Sequence, residues 1–320
     1  MRIRLRNGVL AGAAAASAAT VTMAVAGCSG TATVNETALA QVATPAASSA
    51  AAPAAPSQAA GPFVALGDSY AAGNLIPASP AGTPAGCLRS THNYSGDIEA
   101  AAGASGYVDA ACSGATTVNM TQPQSTSVGT NPPQFNALAA TDSVVTVTIG
   151  GNDVGFSTIL KECATLSVTS PLGNPCQKHY TTGGTDQLAA AVAATAPKAA
   201  AALQGIRSRA PRARILLVGY PDILPNAGTG CWPRVPLAHG DVPYLRATEV
   251  ALNAVLAQQA AANGATFVDT YTATIGHDAC QPKGVKWVEG LVPTSPAYPF
   301  HPNQLGQQAM ARQVMAALGG

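Results

Sequence analysis

Four short segments of the sequence contain residue types that suit nucleophilic chemistry. They are Gly67-Asp68-Ser69, Cys112-Ser113-Gly114-Ala115, Gly150-Gly151-Asn152-Asp153 and His301-Pro302-Asn303. A serine hydroxyl becomes a nucleophile when a base such as histidine takes its proton. Backbone N–H groups in glycine turns and side-chain amides stabilise the negatively charged oxygen that such an attack creates. The segments lie far apart in the chain, so a fold must bring them together.

The elements around these segments alternate between apolar strands and helices. Apolar or β-branched runs predict strands at 63–67, 144–151, 214–221 and 265–269, with a weaker candidate at 107–112. Helical patterns lie at 94–102, 186–209, 244–263 and 303–318. This alternation predicts an α/β fold with helices on both faces of a parallel sheet. Ligands of such sheets bind beyond the carboxyl ends of the strands, where the polar segments are found.

Two expectations concern irregularities in this pattern. Pro197 is expected to kink or split the helix at 186–209, because proline has no N–H to donate. The Pro- or Gly-rich segments 74–92, 155–182 and 222–246 are predicted to be long loops that border the cleft.

Together the four segments resemble the SGNH hydrolases, also called the GDSL esterases and lipases. That family is named after a Ser, a Gly, an Asn and a His in separate blocks, which here are Ser69, Gly114, Asn152 and His301. The resemblance spans residues 62–320. It implies a three-layer α/β/α sandwich with a central parallel sheet, flavodoxin-like in type. It also implies a serine esterase or lipase that hydrolyses lipid or small acyl esters through an acyl-enzyme, without cofactor or metal.

The resemblance assigns a role to each residue. Ser69 is the nucleophile, and His301 is the base that takes its proton and later protonates the leaving alcohol. The oxyanion hole would consist of the N–H groups of Ser69 and Gly114 and the side-chain amide of Asn152, and Asp153 would orient that loop. The remaining histidines match no block and are interpreted as surface or packed residues: His92, His179, His239 and His277.

One position departs from the family pattern. Members usually have an Asp three residues before the catalytic His, and Tyr298 stands at that position. In some streptomycete-type members a backbone carbonyl from the same position replaces the carboxylate, so we expect the Tyr298 carbonyl to accept the Nδ1–H of His301. The side chains of Asp278 and Glu289 are the alternative partners.

The cysteines predict disulfides. Apart from Cys28 there are six: Cys87, Cys112, Cys163, Cys176, Cys231 and Cys280. An even number in an exported domain predicts three bridges, and the sequence alone leaves their connectivity open. Structural zinc is the rival interpretation, but no CxxC spacing or nearby His cluster supports it. The streptomycete-type members pair their cysteines in chain order, which implies Cys87–Cys112, Cys163–Cys176 and Cys231–Cys280.

The N-terminal residues are predicted to target and tether the domain. Residues 1–27 have a basic start and a run of small apolar residues, which is typical of an export signal. The run ends at Val25-Ala26-Gly27-Cys28, which resembles a bacterial lipobox and implies lipidation of Cys28. Residues 28–61, rich in Ala, Ser, Thr and Pro, are predicted to be a disordered tether before the domain at 62–320. The expected location is the outer face of the cell membrane, with secretion as the alternative.

Charge and motif patterns narrow the possible functions. Three of the 16 basic residues, Arg2, Arg4 and Arg6, lie in the predicted signal, so acidic residues are in slight excess beyond it. Nucleic acid is therefore not an expected partner. The sequence has no HxH or HExxH spacing, so it does not indicate a metal site, and it has no GxGxxG after a strand, so it does not indicate a dinucleotide site. We expect a monomer that acts on a lipid or acylated-glycan ester. The alternatives are a cell-envelope glycan O-deacetylase or acyltransferase, and an inactive lipid- or glycan-binding lipoprotein, which the missing Asp would favour.

Overall fold

The computed structural model describes residues 61–103 and 106–319. The predicted signal, Cys28 and nearly all of the predicted tether lie outside the described residues. Among the described residues, no helix has the length and apolar character needed to cross a membrane.

The described part of the chain contains seven strands and nine helices. The strands are β1 (Phe63–Gly67), β2 (Val108–Asp109), β3 (Gln124–Ser125), β4 (Thr130–Asn131), β5 (Val144–Thr148), β6 (Arg214–Val218) and β7 (Thr266–Val268). The helices are α1 (Ser69–Ala72), α2 (Tyr94–Ala102), α3 (Gly151–Val154), α4 (Phe156–Ser167), α5 (Pro175–Tyr180), α6 (Gln187–Arg209), α7 (Val242–Ala262), α8 (Tyr271–Thr274) and α9 (Gln304–Gly319).

Five strands form the central sheet in the order β2-β1-β5-β6-β7, and all neighbours are parallel. This order is the flavodoxin-like one, in which ligands bind where the chain reverses its direction across the sheet, between β1 and β5. Gly67 at the end of β1 lies beside Thr148 at the end of β5. The segments that follow these two strands therefore emerge next to each other.

Alternate residues of the strands contact different helices. On one face Phe63 and Ala65 pack with Tyr94 of α2 and Met310 of α9. On the other face Val64, Leu66 and their neighbours in β5 and β6 pack against apolar residues of α6 and α7. Because a strand has a side-chain period of two, each strand is buried on both faces. The result is the three-layer α/β/α sandwich expected from the sequence.

Two interruptions expected from the sequence are not found: a split of the helix at Pro197 and a long loop over 155–182. Pro197 does not split α6, which runs without interruption from Gln187 to Arg209. Proline removes one backbone donor, and the many other hydrogen bonds of a long packed helix maintain it. The segment 155–182 is not a long loop, since it contains α4 and α5.

Three disulfides join the segments between the strands. They are Cys87–Cys112, Cys163–Cys176 and Cys231–Cys280, the pairing that the resemblance implies. The second bridge connects α4 to α5, and the first connects the segment before α2 to the beginning of the turn that contains Gly114. The bridges thus hold segments that surround the carboxyl ends of the strands.

Candidate active site

Ser69 is the first residue of α1, and the single residue Asp68 separates it from the end of β1 at Gly67. Gly67 has φ 141° in this turn, and a Cβ there would lie 2.4 Å from the Thr148 carbonyl, so only glycine fits. The carboxylate of Asp68 accepts the N–H of Tyr70 at 2.9 Å and caps the helix. Gln134 holds the turn from the other side through the N–H and carbonyl of Gly67, at 2.7 and 2.8 Å. These contacts fix the serine at the carboxyl edge of the sheet.

His301 contacts Ser69 directly. Its Nε2 lies 2.7 Å from the Ser69 Oγ, and both side chains are buried. Burial lowers the pKa of His301 to about 4, an effect that the hydrogen bond to a backbone carbonyl only partly opposes. The imidazole is therefore neutral at pH 7, with Nε2 free of a proton and able to take one from the serine hydroxyl.

The carbonyl that orients His301 is that of Pro299, so the expectation for Tyr298 is wrong. His301 Nδ1 lies 2.8 Å from the Pro299 oxygen and donates its proton to it. The Tyr298 carbonyl instead accepts the backbone N–H of His301 at 3.1 Å, which closes a four-residue turn. Pro299 at the second position and φ 60° at Phe300 indicate a type II turn. Its central peptide points the Pro299 carbonyl toward the imidazole.

Neither alternative carboxylate reaches His301. Glu289 is buried and binds Lys286 at 2.8 Å, while Asn303 donates to its other oxygen. Its backbone N–H donates to the His301 carbonyl at 3.0 Å, so it supports the backbone at that position and not the imidazole. Asp278 accepts the N–H of Cys280 and the side-chain amide of Gln281. Among the described residues, the imidazole Nδ1 therefore has a backbone partner only.

The other two candidate oxyanion donors belong to segments next to the β1–α1 turn: Asn152 lines the same pocket as Ser69, and Cys112, two residues before Gly114, donates its N–H to the Gly67 carbonyl at 3.0 Å. Gly114 adopts φ 76°, and among the described residues neither its N–H nor that of Ser69 has a protein acceptor. The side-chain amide of Asn152 donates to the Ala115 carbonyl at 2.9 Å. An amide nitrogen has two hydrogens, so the second stays available for a substrate oxygen. The structure therefore brings all four blocks together at one edge of the sheet.

Asp153 links two of the blocks. Its carboxylate accepts the N–H and the hydroxyl of Thr117, at 2.9 and 2.7 Å, and Lys198 lies 3.5 Å away. Thr117 begins the 3₁₀ turn that follows Gly114. The aspartate thus orients the Gly114 segment relative to α3, which has Asn152 as its second residue.

An apolar pocket opens beside Ser69. Its walls come from α3, α4, α7 and the segment after β6, and most of the side chains are aliphatic or aromatic. They include Val154, Phe156, Ile159, Leu160, Ile223, Leu224, Leu245 and Leu252. The polar residues Asp68, Ser69, Asn152 and Glu249 also contribute to the lining. Such a pocket suits a hydrocarbon chain whose polar end reaches the serine.

Sequence reasoning missed three residues that support this site: Gln134, Pro299 and Tyr220. Tyr220 was the most accessible of them to prediction, because it lies two residues beyond the end of β6, where ligand-binding residues of parallel sheets are expected. Pro299 was missed by one position, since the spacing of residues does not reveal the type of turn. Gln134 acts through hydrogen bonds with Gly67, which lies 67 residues earlier in the sequence, and no local pattern indicates such a contact.

The remaining histidines make contacts away from this pocket. His277 stacks on Trp287 with 3.5 Å between ring centroids, and His179 packs edge-on against Tyr180. His92 is exposed. None of them is among the described residues that line the pocket.

Known proteins resemble this chain in sequence and in fold. The profile of the GDSL-like Lipase/Acylhydrolase family matches residues 65–309. Lipase 2 of Streptomyces coelicolor is 42% identical over 261 residues, which cover 80% of this chain and 85% of that protein. The solved phospholipase A1 of Streptomyces albidoflavus has a TM-score of 0.66 and 26% identity, covering 82% of this chain and all of that one. An extracellular lipase of Streptomyces rimosus gives a TM-score of 0.65 with the same identity and coverage.

Proposed function

Because the chain belongs to the GDSL-like lipase/acylhydrolase family, we propose that Ser69 and His301 form the catalytic dyad of a carboxylic ester hydrolase. The chain is an ester hydrolase by its family and relatives, and the proposal concerns the residues that carry out the reaction. One observation supports it above all: His301 Nε2 lies 2.7 Å from the Oγ of Ser69, a residue that lines an apolar pocket.

The acylation step follows from the contacts. His301 Nε2 takes the proton of Ser69 as Oγ attacks the ester carbonyl carbon, and the carbonyl oxygen becomes negatively charged. The N–H groups of Ser69 and Gly114 and the free amide hydrogen of Asn152 stabilise that oxygen. The C–O bond to the alcohol then breaks, and His301 gives its proton to the departing alkoxide. The acyl group stays on Ser69.

Deacylation uses the same proton transfers, with water in place of Ser69 as the nucleophile. His301 takes a proton from a water molecule, whose oxygen attacks the acyl carbon, and Ser69 recovers its proton as the carboxylic acid leaves. Throughout, the Pro299 carbonyl holds Nδ1 in its protonated form, so Nε2 is always the nitrogen that exchanges protons. A neutral carbonyl fixes the tautomer as a carboxylate does but stabilises the imidazolium less.

The pocket supports an acyl chain longer than acetyl. An acetyl group would leave the aliphatic side chains of α4 and α7 without contact, whereas a longer chain would gain about 0.8 kcal/mol per buried CH₂. This favours lipid or medium-chain esters over the O-acetyl groups of glycans as substrates. The dyad itself is equally compatible with acyl transfer to an alcohol other than water.

A series of nitrophenyl esters of increasing chain length tests the proposal. We expect kcat/KM to rise from acetate toward medium chains, and a serine-directed phosphonate to add one reagent mass at Ser69. Ser69→Ala and His301→Ala should each lose most of the activity, while Ser208→Ala, on an exposed part of α6, is the matched control. Retained turnover in Ser69→Ala would contradict the dyad.

We further propose that the protein is exported and held at the membrane. The support is the sequence of residues 1–27, the lipobox ending at Cys28, and the extracellular lipase among its structural relatives. Residues 28–61 would act as the tether and 62–320 as the hydrolase domain. A single acyl chain binds membranes only marginally, so a fully processed lipoprotein with several chains should resist a high-salt wash. Cys28→Ser should abolish fatty-acid labelling, and an unlabelled wild-type protein would favour plain secretion.

A further inference from the structure

Tyr220 joins two segments of the active site through one hydroxyl group. It follows β6 after Gly219, and its side chain is buried. Its hydroxyl donates to Asp68 Oδ2 at 2.5 Å and accepts the backbone N–H of Gly151 at 2.7 Å. No block of the family pattern contains this residue.

The two residues that bind the Tyr220 hydroxyl lie at the N-termini of two short helices. Asp68 caps α1, which begins with Ser69, and Gly151 begins α3, in which Asn152 is the next residue. The first helix carries the nucleophile, and the second carries the amide donor of the oxyanion hole. A hydroxyl bound to both beginnings links their positions.

We propose that Tyr220 is a positioning residue that sets the spacing between the Ser69 hydroxyl and the Asn152 amide. The inference rests on the proposed function of those two residues. A misplacement of about 1 Å between a nucleophile and its oxyanion donors can cost on the order of 100-fold in rate. Small changes in this spacing therefore have a large effect on turnover.

The tyrosine is itself held firmly. Asn253 of α7 accepts its N–H at 2.9 Å and donates to its carbonyl at 3.0 Å. The ring lies edge-on to Tyr70, with centroids 5.0 Å apart. A Cβ on Gly151 would lie 3.0 Å from the Tyr220 Oη, so the glycine permits the close approach of backbone and hydroxyl. The hydroxyl thus has little freedom to follow a shift of either helix.

The contact also affects the charge of Asp68. Burial raises the pKa of Asp68 to about 7, and the hydrogen bond from Tyr220 acts in the opposite direction. The titratable groups facing Asp68 are Tyr70 on α1, Tyr94 on α2, Asp153 on α3 and Tyr220 itself. Without the hydroxyl the carboxylate loses one donor, and its pKa rises further. The cap of α1 is then protonated at a higher pH.

Tyr220→Phe tests the proposal because it removes only the hydroxyl. Rates are expressed per active site titrated with a phosphonate, so that unfolded molecules do not count. We expect kcat to fall about 10- to 100-fold with KM unchanged, and the acid limb of the kcat profile to move to higher pH. Tyr244→Phe is the matched control, because its hydroxyl also donates to a helix-capping aspartate, Asp186, at 2.8 Å. It should match the wild type.

Two results would overturn the proposal. One is a Tyr220→Phe variant with wild-type kcat per titrated site and an unmoved acid limb. The other is a variant that loses titratable sites but keeps the rate of each, which would show a role in stability alone. Ser69→Ala, measured in parallel, separates this inference from the proposed function, because an active Ser69→Ala would refute the latter.

A second variant keeps the proposal testable if Tyr220→Phe does not fold. Asp68→Asn keeps an oxygen for the N–H of Tyr70 but no longer titrates. We expect a lower kcat per titrated site and a pH profile without the contribution of Asp68. In the Tyr220→Phe background its effect should be smaller than in the wild type, because both changes break one contact. An unchanged pH profile in Asp68→Asn would contradict the inference.

Discussion

His301 and Pro299 are joined by one hydrogen bond, 2.8 Å from the imidazole Nδ1 to the backbone carbonyl oxygen. The two residues are also held by the turn that Tyr298 closes, so the acceptor is fixed before any substrate arrives. A main-chain atom thus orients the imidazole, and among the described residues no carboxylate contacts Nδ1. The consequence is that no single side-chain substitution deletes the acceptor.

The first prediction concerns Tyr298. Its side chain is 44% exposed, and its contribution to the turn is a main-chain one. Tyr298→Phe should therefore keep kcat within about twofold of the wild type, as surface substitutions usually do. Asp278→Asn should also leave turnover unchanged, since that carboxylate binds the N–H of Cys280. Steady-state kinetics on one nitrophenyl ester is sufficient, and a collapse of kcat in folded Asp278→Asn would indicate a triad.

The second prediction concerns the amide donor. Asn152→Ala removes the side-chain amide that we propose as a donor to the oxyanion, so kcat should fall by about 10²–10³ with little change in KM. The Asn136→Ala substitution at an exposed position is the control. Single-turnover measurements with a chromogenic ester separate the acylation step from product release. A variant that loses affinity and keeps kcat would show that Asn152 binds substrate in its ground state.

Much of the fold followed from local patterns in the sequence. The helix predicted at 94–102 has these bounds, and α6 and α9 differ from their predicted bounds by one residue. The strand predicted at 144–151 ends earlier, at Thr148, because Gly150 has φ 118° and α3 begins at Gly151. Apolar periodicity determines which residues are buried, whereas the ends of elements depend on backbone turns that periodicity does not describe.

The site was predictable where a residue acts through its own side-chain chemistry. Ser69 and His301 belong to this group, and the structure brings them together. The acceptor for Nδ1 is the carbonyl of Pro299 and not, as the sequence had suggested, that of Tyr298. Every residue has a carbonyl, and only the turn decides which one faces the ring. Tyr220 escaped prediction for a related reason: its two partners come from segments about 70 and 150 residues away in the chain, and their approach depends on sheet order.

The third prediction concerns the length of the acyl chain. Ile159 of α4 lines the pocket and is nearly buried, so a tryptophan there would fill the space that the chain needs. Ile159→Trp should lower kcat/KM for octanoate and decanoate esters by about tenfold or more, while acetate hydrolysis stays near the wild-type rate; tenfold corresponds to about 1.4 kcal/mol of lost binding. Val168→Trp, at an exposed position beyond α4, is the control. An equal loss for acetate and decanoate would contradict the assignment of this pocket.

The last prediction links His301 to stability. In the unfolded chain a histidine takes a proton near pH 6.5, whereas burial lowers the pKa of His301 in the folded protein to about 4. Between these two pH values the unfolded state binds more protons, so the free energy of unfolding decreases as the pH falls. Integrated between pH 6.5 and pH 4, the lowered pKa of His301 accounts for about 3 kcal/mol of the free energy of unfolding. This contribution is fully present above pH 6.5 and is lost progressively toward pH 4.

His301→Gln isolates this contribution. Chemical unfolding of the wild type and the variant at several pH values between 4 and 7 gives the free energy of unfolding as a function of pH. The two curves should converge or cross toward low pH, because only the wild type loses the contribution of His301. His92→Gln, at an exposed position, should keep the wild-type slope. Buried carboxyls with raised pKa, Asp68 among them, act in the opposite direction over the same window, and they do so equally in all three proteins. The difference between the curves therefore reports on His301, and parallel curves for the wild type and His301→Gln would contradict a neutral, buried catalytic base.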